Sequence, residues 1–358
     1  MSAPTPFLRR TRHHGFSLIE VMIGVVIGLI AVLVIYQVFA AAEGIKRNTT
    51  SAGDAQQNGL LSSFMLTVEL MNASNGVASA MLALDSCPAT GSMDTSFRPI
   101  PILITDGGGP TAPDQFVVNY SISNSTVTPL PLKQPAAGLD YVIHSPFGVA
   151  VGDLIVGISG SGVCHPSKVT AVVPMDGLGP LDPAASGQVK VSHTGAAEAF
   201  GPDGAFVLNL GSALNPQRIR YDVDPATGVL RSTALWDANG AAVAQAPNPL
   251  ASNIVNMKLQ YGVDNDNNGL LDTWVNATGP WSAANMLAAP IGTLSKIKAV
   301  RLAILVRGEQ WDKAQGDYNW SFFDGTVSGT ILAAGGNYRY RVYETVVPVR
   351  NSIWNPHS

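Results

Sequence analysis

Residues 12–44 read RHHGFSLIEVMIGVVIGLIAVLVIYQVFAAAEG, a basic cluster set directly against an apolar run. Val21 to Ala42 are 22 uncharged positions between Glu20 and Glu43. At about 1.5 Å rise per residue a helix of that length covers roughly 33 Å, enough to cross a hydrocarbon core. Arg9, Arg10 and Arg12 precede it with no acid nearby, which holds the N-terminus on the cytoplasmic side. A removable secretory signal would have a shorter apolar stretch with a small-residue cleavage site after it. A cut here is better placed before the run, between Gly15 and Phe16. Glu20 is the residue a plain anchor does not explain.

The stretch GFSLIEVMIGVVIGLIAV, residues 15–32, resembles the N-terminal signature of type IV prepilins and type II secretion pseudopilins. That resemblance implies a leader of residues 1–15 removed by a prepilin peptidase on the cytoplasmic side. It further implies N-methylation of the new N-terminus at Phe16, and makes Glu20 the family's acid, five residues into the mature chain. A charge inside a membrane helix costs about 2.5–3.5 kcal/mol on insertion scales, so one that persists needs a partner. The free amine at Phe16 of a neighbouring subunit would supply it and set axial register. The alternative is a Glu20 that snorkels to the interface of a simple signal anchor. The chain departs from many major pilins in lacking a helix-kinking proline, Gln37 standing near that place. Softening would come from Gly24 and Gly28, or later from Gly44, Gly53 and Gly59.

Beyond the apolar run the composition is that of an exported, loop-rich protein. The 358 residues are 46% hydrophobic and 13% charged, with 36 glycines and 24 prolines; ordinary soluble domains are roughly 25% charged. A net charge of −4 and no basic run past the leader argue against a nucleic-acid partner. The two cysteines, Cys87 and Cys164, both follow the apolar segment and read as a disulfide outside the cytoplasmic membrane. Such a link would add about 4 kcal/mol in the chain-entropy model. Two separate buried thiols are the alternative.

In DAQQNGLLSSFMLTVELMNA, residues 54–73, Leu60, Leu61, Phe64, Met65, Val68 and Met71 recur at near-helical spacing, with Asp54 as a candidate N-cap. This predicts a second, amphipathic helical half over about 54–72, following the membrane half of about 18–42 after a break. Its apolar face would pack on a sheet. QQNGLL, residues 56–61, is similar to the corresponding stretch of PilW-type minor pilins. From about residue 98 the pattern is β, in short runs such as FVVNYSI, YVIH, DLIVGI, KVTAVV and QVKVSH. RIRYDVDPATGVLRST, residues 218–233, is the clearest hairpin, turning at Asp224 to Gly228. NIVNMKLQYGV, KIKAVRLAILVR and YRYRVYETVVPVR follow. The last two resemble the closing strands of PilW-type proteins, at Arg341 to Thr345 and Arg350–Asn351. The expected fold is α+β and pilin-like: a leader (1–15), a long N-terminal helix (16–84) and a β-rich periplasmic domain (85–358) dominated by antiparallel sheet.

DNDNNGLLD, residues 264–272, matches the first nine positions of a calcium loop: Asp264, Asp266, Asn268, the carbonyl of Leu270, and Asp272. The twelfth position, where a bidentate Glu belongs, is Val275, and the flanks read as strands. The competing reading is an Asx-rich turn. No cofactor other than calcium is suggested. Enzyme signatures are absent: GISGSG, residues 157–162, fails the nucleophile-elbow pattern, and His144, His165 and His193 lie scattered. Trp311, Tyr318 and Trp320 read as a loop packed over the sheet or as a contact surface.

The resemblance implies a non-enzymatic minor pilin that primes pilus assembly and resides in a tip complex. Its partners would be other minor and major pilins, the prepilin peptidase, the inner-membrane assembly platform and a tip adhesin. It would sit in the inner membrane as a single-pass protein, its domain in the periplasm, and then in the pilus at the cell surface. The alternatives are a minor pseudopilin of type II secretion, or a membrane-anchored periplasmic enzyme or binding protein.

Overall fold

The computed structural model describes residues 15–73, 75–77, 97–98, 100–123, 128–144, 148–161, 163–175, 187–195, 197–215, 218–238, 241–311, 316–332 and 337–349. Contacts divide the chain into two units, 1–51 and 52–358. Helix α1 is Leu18–Asn72, 55 residues. Its N-terminal part is fully exposed and, with a mean hydropathy of 3.0 over its most apolar window, is long and apolar enough to cross a bilayer. The expected break is not there: α1 passes through Gly44, Gly53 and Gly59 as helix, and Asp54 is an interior residue instead of a cap. Each glycine costs only about 1 kcal/mol against alanine, too little to interrupt a ladder continued on both sides.

The 52–358 unit begins with the last turns of α1. The face it buries is Ala55, Gly59, Ser62, Leu66, Leu70 and Ala73, each three or four residues from the last. This corrects the expected packing face. Leu60, Leu61, Phe64 and Met71 are exposed, Phe64 at 68%. Gly59 explains which face wins: a Cβ there would stand 2.0 Å from the Tyr343 ring, so the ring lies flat on bare helix backbone.

Strands β1 (Ile102–Thr105) and β2 (Gln115–Asn119) pair as an antiparallel ribbon. The chain then leaves for about a hundred residues. It builds β3 (Leu130–Pro131), β4 (Ala136–Gly138), β5 (Asp140–Ile143), β6 (Asp153–Ile158), β7 (Cys164–Pro174), β8 (Val189–His193), β9 (Glu198–Phe200) and β10 (Phe206–Ser212). Their order is β3-β10-β6-β7-β8-β5-β4-β9. A bridge between Leu132, next to β3, and Ile143 of β5 joins the ends of the first six into a closed barrel. Tyr141, Ile143, Ile155, Val169, Val191 and Val207 fill its interior. The opposite face of β6 packs Leu154, Val156 and Ile158 around Phe97 and Trp236. Burial on both faces explains the unbroken apolar run DLIVGI.

The chain returns where it left. β11 (Arg218–Asp224) pairs with β2 from Arg218 opposite Asn119, then turns into β12 (Val229–Ala234), which carries β13 (Asn248–Ala251). The predicted hairpin is present: Gly228 adopts φ 66° and donates its N–H to the Asp224 carbonyl at 2.8 Å. A second sheet has the order β15-β14-β16-β19, from β14 (Ile254–Val263), β15 (Thr273–Asn276), β16 (Ile297–Arg307) and β19 (Tyr340–Pro348). Between β15 and β16 stand the short helices α2 (Ala283–Ala288) and α3 (Ile291–Leu294). Leu66 and Leu70 of α1 share one core with both sheets, through Ile104, Phe116, Tyr261, Leu302 and Ile304 among others. On the other face of β16, Ala303 and Leu305 meet Trp320 and Phe322 of a separate hairpin, β17 (Tyr318–Phe322) and β18 (Val327–Ile331). Tyr318 and Trp320 are therefore packing residues, while Trp311 is exposed at 56%.

Candidate functional site

Gly15, Phe16 and Ser17 precede α1, and Phe16 is 87% exposed. Ser17 and Glu20 stand at the spacing of a capping box. The Ser17 amide donates to Glu20 Oε2 at 3.3 Å, closing the first turn. Glu20 thus has a local task as well as a candidate docking one: its carboxylate accepts an otherwise orphan donor at the positive end of the helix.

The 264–272 loop is the tip of the β14–β15 hairpin, with Val263 opposite Thr273. Strands flank it, as the sequence indicated. Asp264 is fully buried; its Oδ1 accepts from the Asn268 amide at 3.1 Å and its Oδ2 from the Gly269 amide at 2.8 Å, with Lys298 Nζ 3.6 Å away. Burial opposes its charge, but those amides and the ammonium outweigh it and hold the carboxyl below its usual range. Carboxylate oxygens of Asp264, Asp266 and Asp272 lie within 4.8 Å of one another. Asn268 joins them differently from a metal ligand. Its Oδ1 accepts from the Leu270 amide at 2.7 Å and its Nδ2 donates to Asp266 Oδ2 at 3.0 Å, so it braces the turn. Asp272 Oδ2 accepts from the Asn265 amide at 2.7 Å.

Cys164 is buried on β7 and disulfide-bonded. Cys87 lies outside the described residues.

Two clusters were not visible in the sequence. Inside the barrel, Tyr141 of β5 donates its hydroxyl to Glu198 Oε2 of β9, and His165 Nδ1 of β7 stands 3.2 Å from Glu198 Oε1. The Tyr141 ring stacks on His193 of β8 at 4.2 Å. The histidines that look scattered in sequence meet because β7 and β8 are neighbours, whereas His144 is exposed at the end of β5. Burial raises the Glu198 carboxyl to about 7, against the Tyr141 hydrogen bond, and pushes both histidines below their ordinary value. A carboxyl raised on folding contributes stability below its unfolded value, near 4.5, and loses it as pH rises through about 7. The histidines act in the opposite sense, favouring the fold above their ordinary value. Glu198→Gln isolates the carboxyl. Its stability relative to wild type is expected to improve by up to about 3 kcal/mol between pH 5 and pH 8. Urea midpoints at the two pH values measure this, and a difference that does not change with pH contradicts it.

The second cluster lies beside β14. Asp114 and Lys258, 2% and 4% exposed, form an ion pair with Lys258 Nζ 2.6 Å from Asp114 Oδ1.

Comparison with known proteins gives matches at both ends of the chain. Residues 10–36 match the prokaryotic N-terminal methylation motif, and residues 220–351 match the family model for type IV pilus-assembly protein W. No curated protein matches the sequence. Among solved structures, a type IV-like pilin from Thermus thermophilus is similar at 15% identity, over 56% of this chain and 86% of that one. Its TM-score of 0.23 is too low to equate individual elements. The methylation motif falls on Gly15, Phe16 and Glu20 with the apolar half of α1, and the second match covers β12 to β19 and most of β11. The chain is a type IV pilin-like protein with a prepilin-type N-terminus and a PilW domain.

Proposed function

We propose that this protein is a minor pilin that primes type IV pilus assembly and resides in a tip complex. The leader 1–15 is removed at Gly15–Phe16, Phe16 is methylated, and Glu20 docks against the N-terminal amine of a neighbouring pilin. The work is templating and mechanical, with other pilins, the prepilin peptidase and the inner-membrane assembly platform as partners. The observation that carries this reading is the apolar face that α1 leaves uncovered by its own domain, with Leu60, Leu61, Phe64 and Met71 exposed. Large exposed apolar surface on one helix face is the signature of a partner helix.

Glu20 provides the test, because capping and docking ask different things of it. A cap needs only an acceptor oxygen, which glutamine keeps; an ion pair needs the charge. Glu20→Gln and Glu20→Ala are both expected to be processed normally and to leave cells without pili. Wild-type piliation in Glu20→Gln would reduce the residue to a helix cap.

A calcium ion at Asp264, Asp266 and Asp272, with the carbonyl of Leu270, belongs to the same proposal. It is supported by the closeness of the three carboxylates and by the preference of calcium for several hard oxygens. Millimolar calcium is expected to raise the Tm of the wild type by several degrees and to leave Asp266→Ala unmoved. An unshifted wild-type melt removes the ion.

A further inference from the structure

A cleft of about 530 Å³ opens where the β1–β2 loop, the edge of β14, the segment after β15 and the β17–β18 hairpin converge. That is within the usual range for small-ligand sites. At its floor is the buried Asp114–Lys258 pair, whose two members differ in how far they are satisfied. Asp114 Oδ1 accepts from Lys258 Nζ and from the Gly107 amide at 2.9 Å, and Oδ2 accepts from the Leu259 amide at 2.9 Å. The carboxylate is full. Lys258 carries three N–H donors and makes one hydrogen bond among the described residues. An ammonium 4% exposed and lining a cleft therefore keeps unused donors at its floor.

The rim adds groups with capacity to spare. Asp106 uses Oδ1 on the Gly108 amide at 2.7 Å, and Asn276 uses Oδ1 to accept from Gln260 Nε2 at 2.5 Å. That leaves the Asp106 Oδ2 and the Asn276 Nδ2, with the hydroxyls of Thr278 and Ser328 beside them. Phe323 also borders the cleft, held at φ 56° in the left-handed region that costs such side chains of order 1–3 kcal/mol. It is 2% exposed with the Arg301 guanidinium 4.4 Å over its ring, so it offers no open ring face. Two acids against one ammonium make the cleft net negative, which disfavours an anionic ligand. The spare groups include donors (Lys258 Nζ, Asn276 Nδ2), an acceptor (Asp106 Oδ2) and hydroxyls that do both. That is the pattern a neutral ring bearing several hydroxyls satisfies, each hydroxyl both donating and accepting.

We propose that this cleft binds a neutral sugar unit, its hydroxyls taken by Lys258, Asp106, Asn276 and Ser328. The site lies outside the helix face argued above and does not depend on the pilin reading. The test uses the full chain in a zwitterionic detergent without a sugar headgroup. Saturation-transfer NMR with glucose, galactose, mannose and N-acetylglucosamine is expected to show saturable millimolar binding for at least one. Asp106→Ala, at the rim, is expected to weaken it about tenfold, the loss of one charge-assisted hydrogen bond. Ser328→Trp, which fills the mouth on an exposed strand, is expected to abolish it with an unchanged melting curve. The same sugar presented at the end of an immobilised oligosaccharide separates a surface glycan from a free sugar. No saturable binding by any of the four sugars overturns the proposal, as does binding that both variants leave intact. Binding of acetate or glycine in place of the sugars overturns it too, because it would make Lys258 an anion site.

Discussion

Asp114→Ala is expected to cost about 3–5 kcal/mol of stability. The reason is where Asp114 stands. β15 covers the edge of β14 only from Gln260 to Val263. Short of that point Asp114 takes the place of the missing strand: its N–H donates to the Met257 carbonyl at 2.7 Å and its carboxylate accepts the Leu259 amide. Removing the side chain strands the buried Leu259 amide, frees the part-buried Gly107 amide and leaves the Lys258 ammonium with no counter-charge. Burial already outweighs these partners enough to raise the Asp114 carboxyl above its usual range, so desolvation is the dominant expense at this site. Asp114→Leu combined with Lys258→Met should recover much of the loss, since two apolar side chains leave no charge unpaired. Urea denaturation of the two single variants and the double variant measures the coupling. A loss of less than about 1 kcal/mol in Asp114→Ala would show that the pair is hydrated and the edge-capping account wrong.

Phe64→Glu is expected to leave the domain folded and to abolish pilus assembly. Phe64 is 68% exposed and touches no buried core, so the change in stability should stay within about 0.5 kcal/mol. A carboxylate in the middle of a helix–helix contact would, in contrast, be desolvated without a partner. Leu66→Glu, one face round on the same helix, is the opposite control: Leu66 is fully buried and that variant should not fold. Normal piliation in Phe64→Glu would mean that the exposed stripe is not a subunit contact.

The pair of substitutions also marks what could be read from residues 54–73 and what could not. Both faces of that helix are apolar, so periodicity identifies a helix without saying which stripe packs inward. The small residues Ala55, Gly59 and Ser62 decide it, by letting the sheet come close enough for Tyr343 to lie on Gly59. The strands were legible because runs such as DLIVGI and KIKAVRLAILVR are β-branched, apolar and bounded by turn residues. The barrel was not, because strands as short as Leu130–Pro131 leave no pattern and closure rests on one bridge between residues 132 and 143. Glu198 and its tyrosine and histidine neighbours come from four strands, and only the fold brings them together. At the N-terminus the position is reversed. The motif holding Gly15, Phe16 and Glu20 was legible because it depends on local order alone, and geometry adds the Ser17–Glu20 hydrogen bond.

The most direct test of the account is the mass of the mature protein purified from its own membranes. Removal of residues 1–15 with one added methyl group on Phe16 is the expected result. A chain that keeps its leader, or is cut after the apolar run, would contradict it.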